Sequence, residues 1–437
     1  MSPFEIGLLA LAAMGLMMLI GFHAPVALMV ASFGGVWAIK GAPVLAAKLL
    51  ALAANDALQS YFFGIVPLFV LMGFVVSEAG FGRDAFDVAN AAFRRLAGGL
   101  GVAAVGGSAI FAAITGVSIA SAAVFARIAA PEMIRRGYAP RFAVGVVAGS
   151  SVLGMLIPPS LLLILYGILT EQSVGDLFLA GIGPGLLLAF LFGCLVMALV
   201  AFAPRFAGRP EAPEGAGPGP VELFLQAAPI AALILLVLGG IYGGLFTPVE
   251  AGAMGALGAL ALGLAMRRLD LSALRRILIE TGLVTASVCL LIIAAQMYSR
   301  MLAFSGVPAG LAGAAATADL GLWGILAAYV AALIALGAIL DSSSIMLIAV
   351  PLMLPVVQPL GVDLVWLGIV TVIAVEIGLL TPPFGMSVYV VKATMADDGI
   401  RLSDVFAGAA PFALAMLLCL VLVMAFPWIA TGLLPGT

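Results

Sequence analysis

Histidine is nearly absent from this chain of 437 residues; His23 is the only one. A His-Glu-x-x-His metal site needs two, so that hydrolytic chemistry is excluded, and a Ser-His nucleophile is left with a single candidate. His23 precedes Pro25 and reads as a solvated turn residue rather than a proton relay. Cysteine is almost as scarce. Cys194, Cys289 and Cys419 stand alone in apolar runs, where they suggest neither a disulfide framework nor a metal set and read as small core residues. Charged residues make up 9% with a net charge of -3, and no basic patch suggests nucleic acid. No second membrane aspartate partners Asp341 for an aspartyl dyad. The chain is therefore expected to be neither an enzyme nor a nucleic-acid binder, and to need no bound cofactor.

What the chain has in excess is apolar sequence. Hydrophobic residues make up 64% and mean hydropathy is +1.28, beyond the range of soluble domains, so the expectation is an all-α polytopic membrane protein in contact with lipid. The first apolar run follows Met1-Ser2-Pro3-Phe4-Glu5, with no positive n-region and no clear cleavage site. It is expected to be a retained span rather than a signal peptide. Apolar runs fall at 6–22, 25–39, 60–79, 100–130, 141–170 and 177–203, and again at 221–242, 247–266, 281–303, 320–358, 364–392 and 404–433. Between the two series, 204–220 is polar and rich in Pro and Gly, which marks a linker.

Two proline pairs set these series in register. Pro158-Pro159 lies in the run SSVLGMLIPPS at 150–160, and Pro382-Pro383 in EIGLLTPPFG at 376–385. Proline removes a backbone donor and clashes with the preceding turn, so each pair should break a helix. Broken backbone in lipid must be satisfied by protein, water or ligand. One such pair alone is read as a kink. Two copies at corresponding places point to a transporter binding site. A shift of 224 also carries Pro131 onto Pro355, while Pro25 maps to Pro248 at 223 and Pro184 to Pro411 at 227, as in one duplicated unit. The expected domains are a first repeat at 1–203, with a hairpin at 100–130 and a broken helix at 141–170, the linker at 204–220, and a second repeat at 221–437, with a hairpin at 320–358 and a broken helix at 364–392.

Lys and Arg positions orient the chain. If the linker with Arg205 and Arg209 is cytoplasmic, Arg267, Arg268, Arg275 and Arg276 return to that side. The run at 320–358 must then enter and leave from the outer face, as two half-length helices meeting at Asp341-Ser342-Ser343-Ser344. The run at 100–130, flanked by Arg94, Arg95, Arg127, Arg135, Arg136 and Arg141, opens to the cytoplasm with its tip at Thr115-Gly116-Val117-Ser118. Only Lys40, Lys48 and Arg300 then fall outside, and both termini are external. Each hairpin counts as no crossing, which leaves an odd number per series and makes the two repeats inverted. Amphipathic stretches join the spans. At 270–280, Leu271, Leu274, Ile277 and Leu278 share a face that excludes Arg275 and Arg276, and 84–96 has the same character with Asp84 as a candidate N-cap. Both read as interfacial linkers, with a lever role as the alternative.

Ion or substrate binding is expected at the tips and breaks. An ionised Asp341 near mid-membrane costs at least about 2.5 to 3.5 kcal/mol unless paired or solvated, a cost that a bound cation would remove. Ser342, Ser343, Ser344 and the unwound backbone through Gly378, Thr381, Pro382 and Pro383 add oxygen donors, and Glu376 stands ready to orient that break. The first half offers Thr115, Gly116, Ser118, Ser150 and Ser151 with the break at Gly154, Pro158 and Pro159, and has no carboxylate. Oxygen donors of this kind suit a hard ion such as Na⁺ rather than zinc or copper. Helix N-termini after each tip and break add partial positive charge for an anionic substrate. Close packing is the default reading for Gly106, Gly107, Ser121, Gly252, Gly255 and Gly258. For Glu250, snorkelling or capping competes with a functional role. A passive channel would not need inverted hairpins with broken helices.

At this point the chain resembles the large membrane subunit of the tripartite ATP-independent periplasmic (TRAP) transporters, the DctM-like family. The likeness covers nearly the whole chain and is carried by Gly244-Leu-Phe-Thr-Pro-Val-Glu-Ala-Gly252, Gly154-Met-Leu-Ile-Pro-Pro-Ser160, Leu177-Phe-Leu-Ala-Gly-Ile-Gly-Pro-Gly185, Asp341-Ser-Ser-Ser344 and Glu376-Ile-Gly-Leu-Leu-Thr-Pro-Pro-Phe-Gly385. The resemblance implies a secondary transporter of the bacterial inner membrane, driven by an inward Na⁺ gradient and moving by an elevator mechanism. It implies a small four-helix membrane subunit and a periplasmic solute-binding receptor as partners, and usually an organic carboxylate as substrate. It places Na⁺ at both tip-plus-break sites. Nothing in the chain resembles the small subunit, so a fused form is not expected. A receptor-independent Na⁺ or H⁺ carboxylate symporter of similar architecture is the alternative.

Overall fold

Polar residues at the ends of the apolar runs decide where helices begin. Ser2 and Glu5 form a capping box at the start of Pro3–Leu19, and Thr247 and Glu250 form another at Pro248–Ala265. Ser173, Asp270 and Asp363 cap Val174–Phe202, Leu271–Ser305 and Leu364–Gly378 by accepting backbone N–H bonds that the first turn leaves unpaired. Glu250 is thus a capping residue. The computed structural model describes residues 1–59, 61–210, 219–317, 321–395 and 399–434, so the middle of the 204–220 linker lies outside the described residues. Among the described residues there is no strand, only an isolated bridge between Tyr138 and Gly208. Seven of the described helices are long and apolar enough to cross a membrane, and an eighth span results if Ile65–Glu78 and Phe81–Phe93, bent by 67°, are counted together.

The two halves repeat the same order of elements. Helices Gly99–Thr115 and Ser118–Arg135 pack against each other as one hairpin, and Gly321–Gly337 and Ser342–Val357 as the other. The first broken helix runs as Pro140–Ser151, a short turn at Leu153–Leu156 and Leu161–Thr170; the second as Leu364–Gly378 and Met386–Thr394. Pro158-Pro159 and Pro382-Pro383 are both cis and lie between the two segments in each case. The first broken helix is enclosed by protein, since 83% of its most apolar stretch is buried, against 22% for Val174–Phe202.

Three elements differ from the sequence expectations. A helix over Pro43–Gln59 fills a stretch not read as a span, and the same shift aligns it with the start of Leu271–Ser305. The 270–280 segment is not a separate linker. It continues without a break into a 35-residue helix, about 52 Å at 1.5 Å per residue, far longer than a ~30 Å hydrocarbon core needs. Asp84 is not an N-cap. Gly80, in the left-handed conformation at φ 77°, starts Phe81–Phe93, and Asp84 lies buried in the first turn, paired with Arg268.

The apolar interior is in two parts. The larger joins both hairpins, both broken helices, Val174–Phe202 and Leu402–Ala425. The smaller joins Pro3–Leu19, Ala24–Lys40 and Pro43–Gln59 to the later part of Leu271–Ser305 around Tyr298 and Met301, and meets the second hairpin at Leu347 and Ile348.

Candidate functional site

Each hairpin tip rests on its own half's proline break. Leu161 N–H donates to the Gly116 carbonyl at 3.1 Å, and Phe384 N–H donates to the Ala338 carbonyl at 3.0 Å. The close fit requires glycine. Gly116 adopts φ 67°, and a Cβ there would stand 2.3 Å from the Pro159 carbonyl oxygen. Gly337 and Gly378 likewise meet backbone to backbone, with room for no side chain on either. A buried polar tie repeats between each hairpin's first arm and the leading segment of the broken helix. Ser108 and Ser150 hydroxyls lie 3.0 Å apart, and Tyr329 and Thr371 hydroxyls 3.1 Å apart, both 42 residues apart in sequence.

The residues singled out in the sequence gather as two units. In the first, Thr115 ends one helix and Ser118 begins the next, so the tip itself is Gly116 and Val117. Thr115, Ser118, Ser150 and Ser151 are fully or almost fully buried, as are Gly154, Pro158 and Pro159. Ser150 and Ser151 also donate to the Val147 and Ala148 carbonyls, and Thr115 to the Phe111 carbonyl. A small cavity of about 10 Å³ lies between this tip, Pro159, Ser160 and the Phe69 side of Ile65–Glu78, close to the smallest space that holds one water or ion.

In the second unit, the serines are the first turn of Ser342–Val357 and not the tip; Asp341 is its N-cap. The Asp341 carboxylate accepts from the Ser344 N–H at 3.1 Å and from the Ser344 hydroxyl at 2.5 Å. Glu376 lies within the leading helix, fully buried, and accepts from the Ser342 hydroxyl at 3.0 Å. Thr381 donates to the Gly378 carbonyl at 2.8 Å. The two units differ in exposure. Pro382, Pro383 and Phe384 are exposed and Ser343 half-buried, whereas the first break is covered. Among the described residues no three His, Cys, Asp or Glu side chains gather in a metal-binding group. The donors on offer are hydroxyls, carbonyls and single carboxylates, which fit a hard, weakly held cation.

Two features were missed in the sequence. The Ser108–Ser150 and Tyr329–Thr371 ties have a signal there, the common spacing of 42, but only once the partners are known. Ser387, just beyond the second break, is buried with an unpartnered hydroxyl and had no signal.

Comparison with known proteins turns this geometry into a family assignment. Residues 6–429 match the family model described as "Tripartite ATP-independent periplasmic transporter, DctM component". The chain belongs to the DctM family. It is similar to the C4-dicarboxylate TRAP transporter large permease protein DctM of Pseudomonas aeruginosa, 33% identical over 391 residues, covering 88% of this chain and 89% of that protein. It is also similar to the ectoine TRAP transporter large permease protein TeaC of Halomonas elongata, 31% identical over 368 residues and covering 84% of each. The sialic acid TRAP transporter permease protein SiaT of Haemophilus influenzae is 30% identical over 380 residues; the match covers 86% of this DctM-family chain and 60% of SiaT. Among solved structures, the Alcanivorax borkumensis YdaH transporter superposes with a TM-score of 0.61 over 88% of this chain and 90% of that one. At 17% identity that likeness concerns the fold alone. This DctM chain is thus a TRAP large permease, a multi-pass membrane transporter subunit.

Proposed function

We propose that this permease imports a small organic carboxylate across the bacterial inner membrane, coupled to inward Na⁺ movement. A periplasmic receptor delivers the substrate and a small membrane subunit completes the transporter. Both hairpins and both broken helices form the body that moves, by an elevator motion, against a scaffold of Pro3–Leu19, Ala24–Lys40, Pro248–Ala265 and the long helix Leu271–Ser305. The observation that carries the reading is the repeated tip-on-break unit. It presents hydroxyl and carbonyl oxygens at two corresponding places, where Thr115, Ser118, Ser150, Ser342, Ser344 and Glu376 are buried. Na⁺ would bind at the Thr115 to Ser118 tip with the first break and at the Asp341 to Ser344 tip with the second. The helix N-termini that open after the tips would hold an anion between the two units. Related permeases named for C4-dicarboxylate and sialic acid support a carboxylate; the ectoine permeases widen the choice without departing from it.

The test is uptake into proteoliposomes holding this chain and its small subunit, with receptor and C4-dicarboxylate outside. An imposed Na⁺ gradient should drive accumulation, and replacing Na⁺ by choline or K⁺ should abolish it. Accumulation driven by a proton gradient alone would refute Na⁺ coupling, and equal uptake without receptor would refute delivery.

A further inference from the structure

Glu376 is the carboxylate that faces both tips. It sits in the last turn of Leu364–Gly378, 1% exposed. Ser342, from the second tip, donates to its Oε1 at 3.0 Å. Ser118, from the first tip, faces the same carboxylate. Yet Ser118 Oγ and Glu376 Oε2 are both buried without a partner in hydrogen-bonding geometry. A buried oxygen left this way is costly, so the arrangement needs a reason. The shift of 224 places Val152 at the matching position of the first half. The acid therefore has no symmetry mate: one carboxylate is set between two otherwise similar units.

The other acid of the region is already engaged, since Asp341 accepts twice from Ser344. Two cations held at the two tips would repel one another, and in a low-dielectric interior that repulsion is strong. A carboxylate between them is attracted to both and offsets it. Ser342 directs its proton at Oε1, which leaves its lone pairs for an ion, and a hydroxyl polarised by an acceptor behind it is the better donor of those lone pairs. The first ion to bind fixes the carboxylate that the second then meets already in place, and this gain is the same in either order, because coupling between sites is reciprocal.

We propose that Glu376 is a positioning residue that couples the two ion sites, acting through Ser118 and Ser342 so that Na⁺ at one tip favours Na⁺ at the other. The proposal rests on the reading of the tips as Na⁺ sites and adds how they communicate.

It is tested by the Na⁺ dependence of uptake in the complete reconstituted transporter. The wild type should be sigmoidal, with a Hill coefficient above 1 and at most about 2 for two sites. Glu376→Gln keeps shape and an acceptor for Ser342 but removes the charge. Its Hill coefficient should fall to about 1, and half-saturation should move to roughly 5- to 150-fold higher Na⁺, the usual span of coupling between sites, with uptake recovering at saturating Na⁺. Glu376→Asp should restore part of the sigmoidal response, which a merely space-filling residue would not do. Ser118→Ala, which removes only the first tip's hydroxyl, should also lower the Hill coefficient and decides the matter if Glu376→Gln does not fold. A hyperbolic wild type, or a sigmoidal response unchanged in both variants, overturns the coupling while leaving Na⁺-driven transport in place. Uptake by the wild type that ignores Na⁺ overturns both.

Discussion

Two carboxylates stand at the second unit, and their neighbours divide the work between them. Asp341 caps a helix, and Asn caps about as well as Asp. The two substitutions therefore separate charge from cap. Asp341→Asn should melt with the wild type when Na⁺ is absent and lose the Na⁺-induced rise in Tm, which is worth about 2.7 kcal/mol at a hundredfold excess over Kd. Asp341→Ala should in addition melt lower in either condition, by the roughly 0.5 to 2 kcal/mol that a lost cap costs. A full Na⁺ response in Asp341→Asn would remove this charge from the ion site. Asp341 was prominent in the sequence because a lone acid among serines at a hairpin tip is conspicuous. Glu376 was visible there only as a neighbour of the proline pair. Its contact with Ser342, 34 residues away, is a product of packing that no local pattern encodes.

At the scale of elements, the halves are bound into one body by glycines. Gly145, in the first broken helix, and Gly408, in Leu402–Ala425, bring their backbones together: a Cβ on Gly145 would stand 2.2 Å from the Gly408 carbonyl carbon. Gly149 is seated as closely, against the Phe412 ring. Overpacking of this kind costs typically about 1 to 3 kcal/mol. Gly145→Ala and Gly408→Ala should each lower Tm and impair transport, whereas Gly282→Ala, in open space on the long helix, should do neither. Equal behaviour of all three in a thermal melt would mean that the contact is not tight. The broken helices and hairpins were legible in the sequence because proline pairs and run lengths are local signals, repeated at one shift. The partner of each glycine was not legible, because small residues look alike in sequence whether they meet a backbone or lipid. The helix at Pro43–Gln59 escaped notice for a related reason. Asn55, Asp56 and Gln59 interrupt its apolar run, and only the alignment with the long helix of the second half gives it a place.

Across the whole molecule, three ion pairs among the described residues tie the first half to the second, and in each the acid comes from the first half and the base from the second. Glu78 pairs with Arg276 at 3.2 Å, Asp56 with Arg300, and Asp84 with Arg268. Glu78 ends a helix whose counterpart ends near Arg300, and Arg276 lies on the stretch whose counterpart carries Asp56, so the first two pairs are one contact repeated with the charges exchanged. Their side chains are a third or more exposed, where solvent screening holds such pairs to about 1 kcal/mol or less. The third pair differs. Asp84 is 7% exposed, and Arg268 also reaches the Ala79 carbonyl and lies over the Phe81 ring, 5.5 Å from its centre. Removing only the acid leaves a guanidinium half-enclosed without its counter-ion, which costs more than removing both. Asp84→Asn alone should therefore lower Tm more than Asp84→Asn combined with Arg268→Gln. A double-mutant cycle should return a coupling of roughly 0.5 to 3 kcal/mol for this pair and about 1 kcal/mol or less for Glu78–Arg276. An additive cycle at Asp84–Arg268 would mean that the helix Phe81–Phe93 is held by its apolar face alone. A measured coupling would instead make this pair the fixed point from which Phe81–Phe93, packed on the first hairpin, is joined to the loop between Pro248–Ala265 and Leu271–Ser305 of the opposite half.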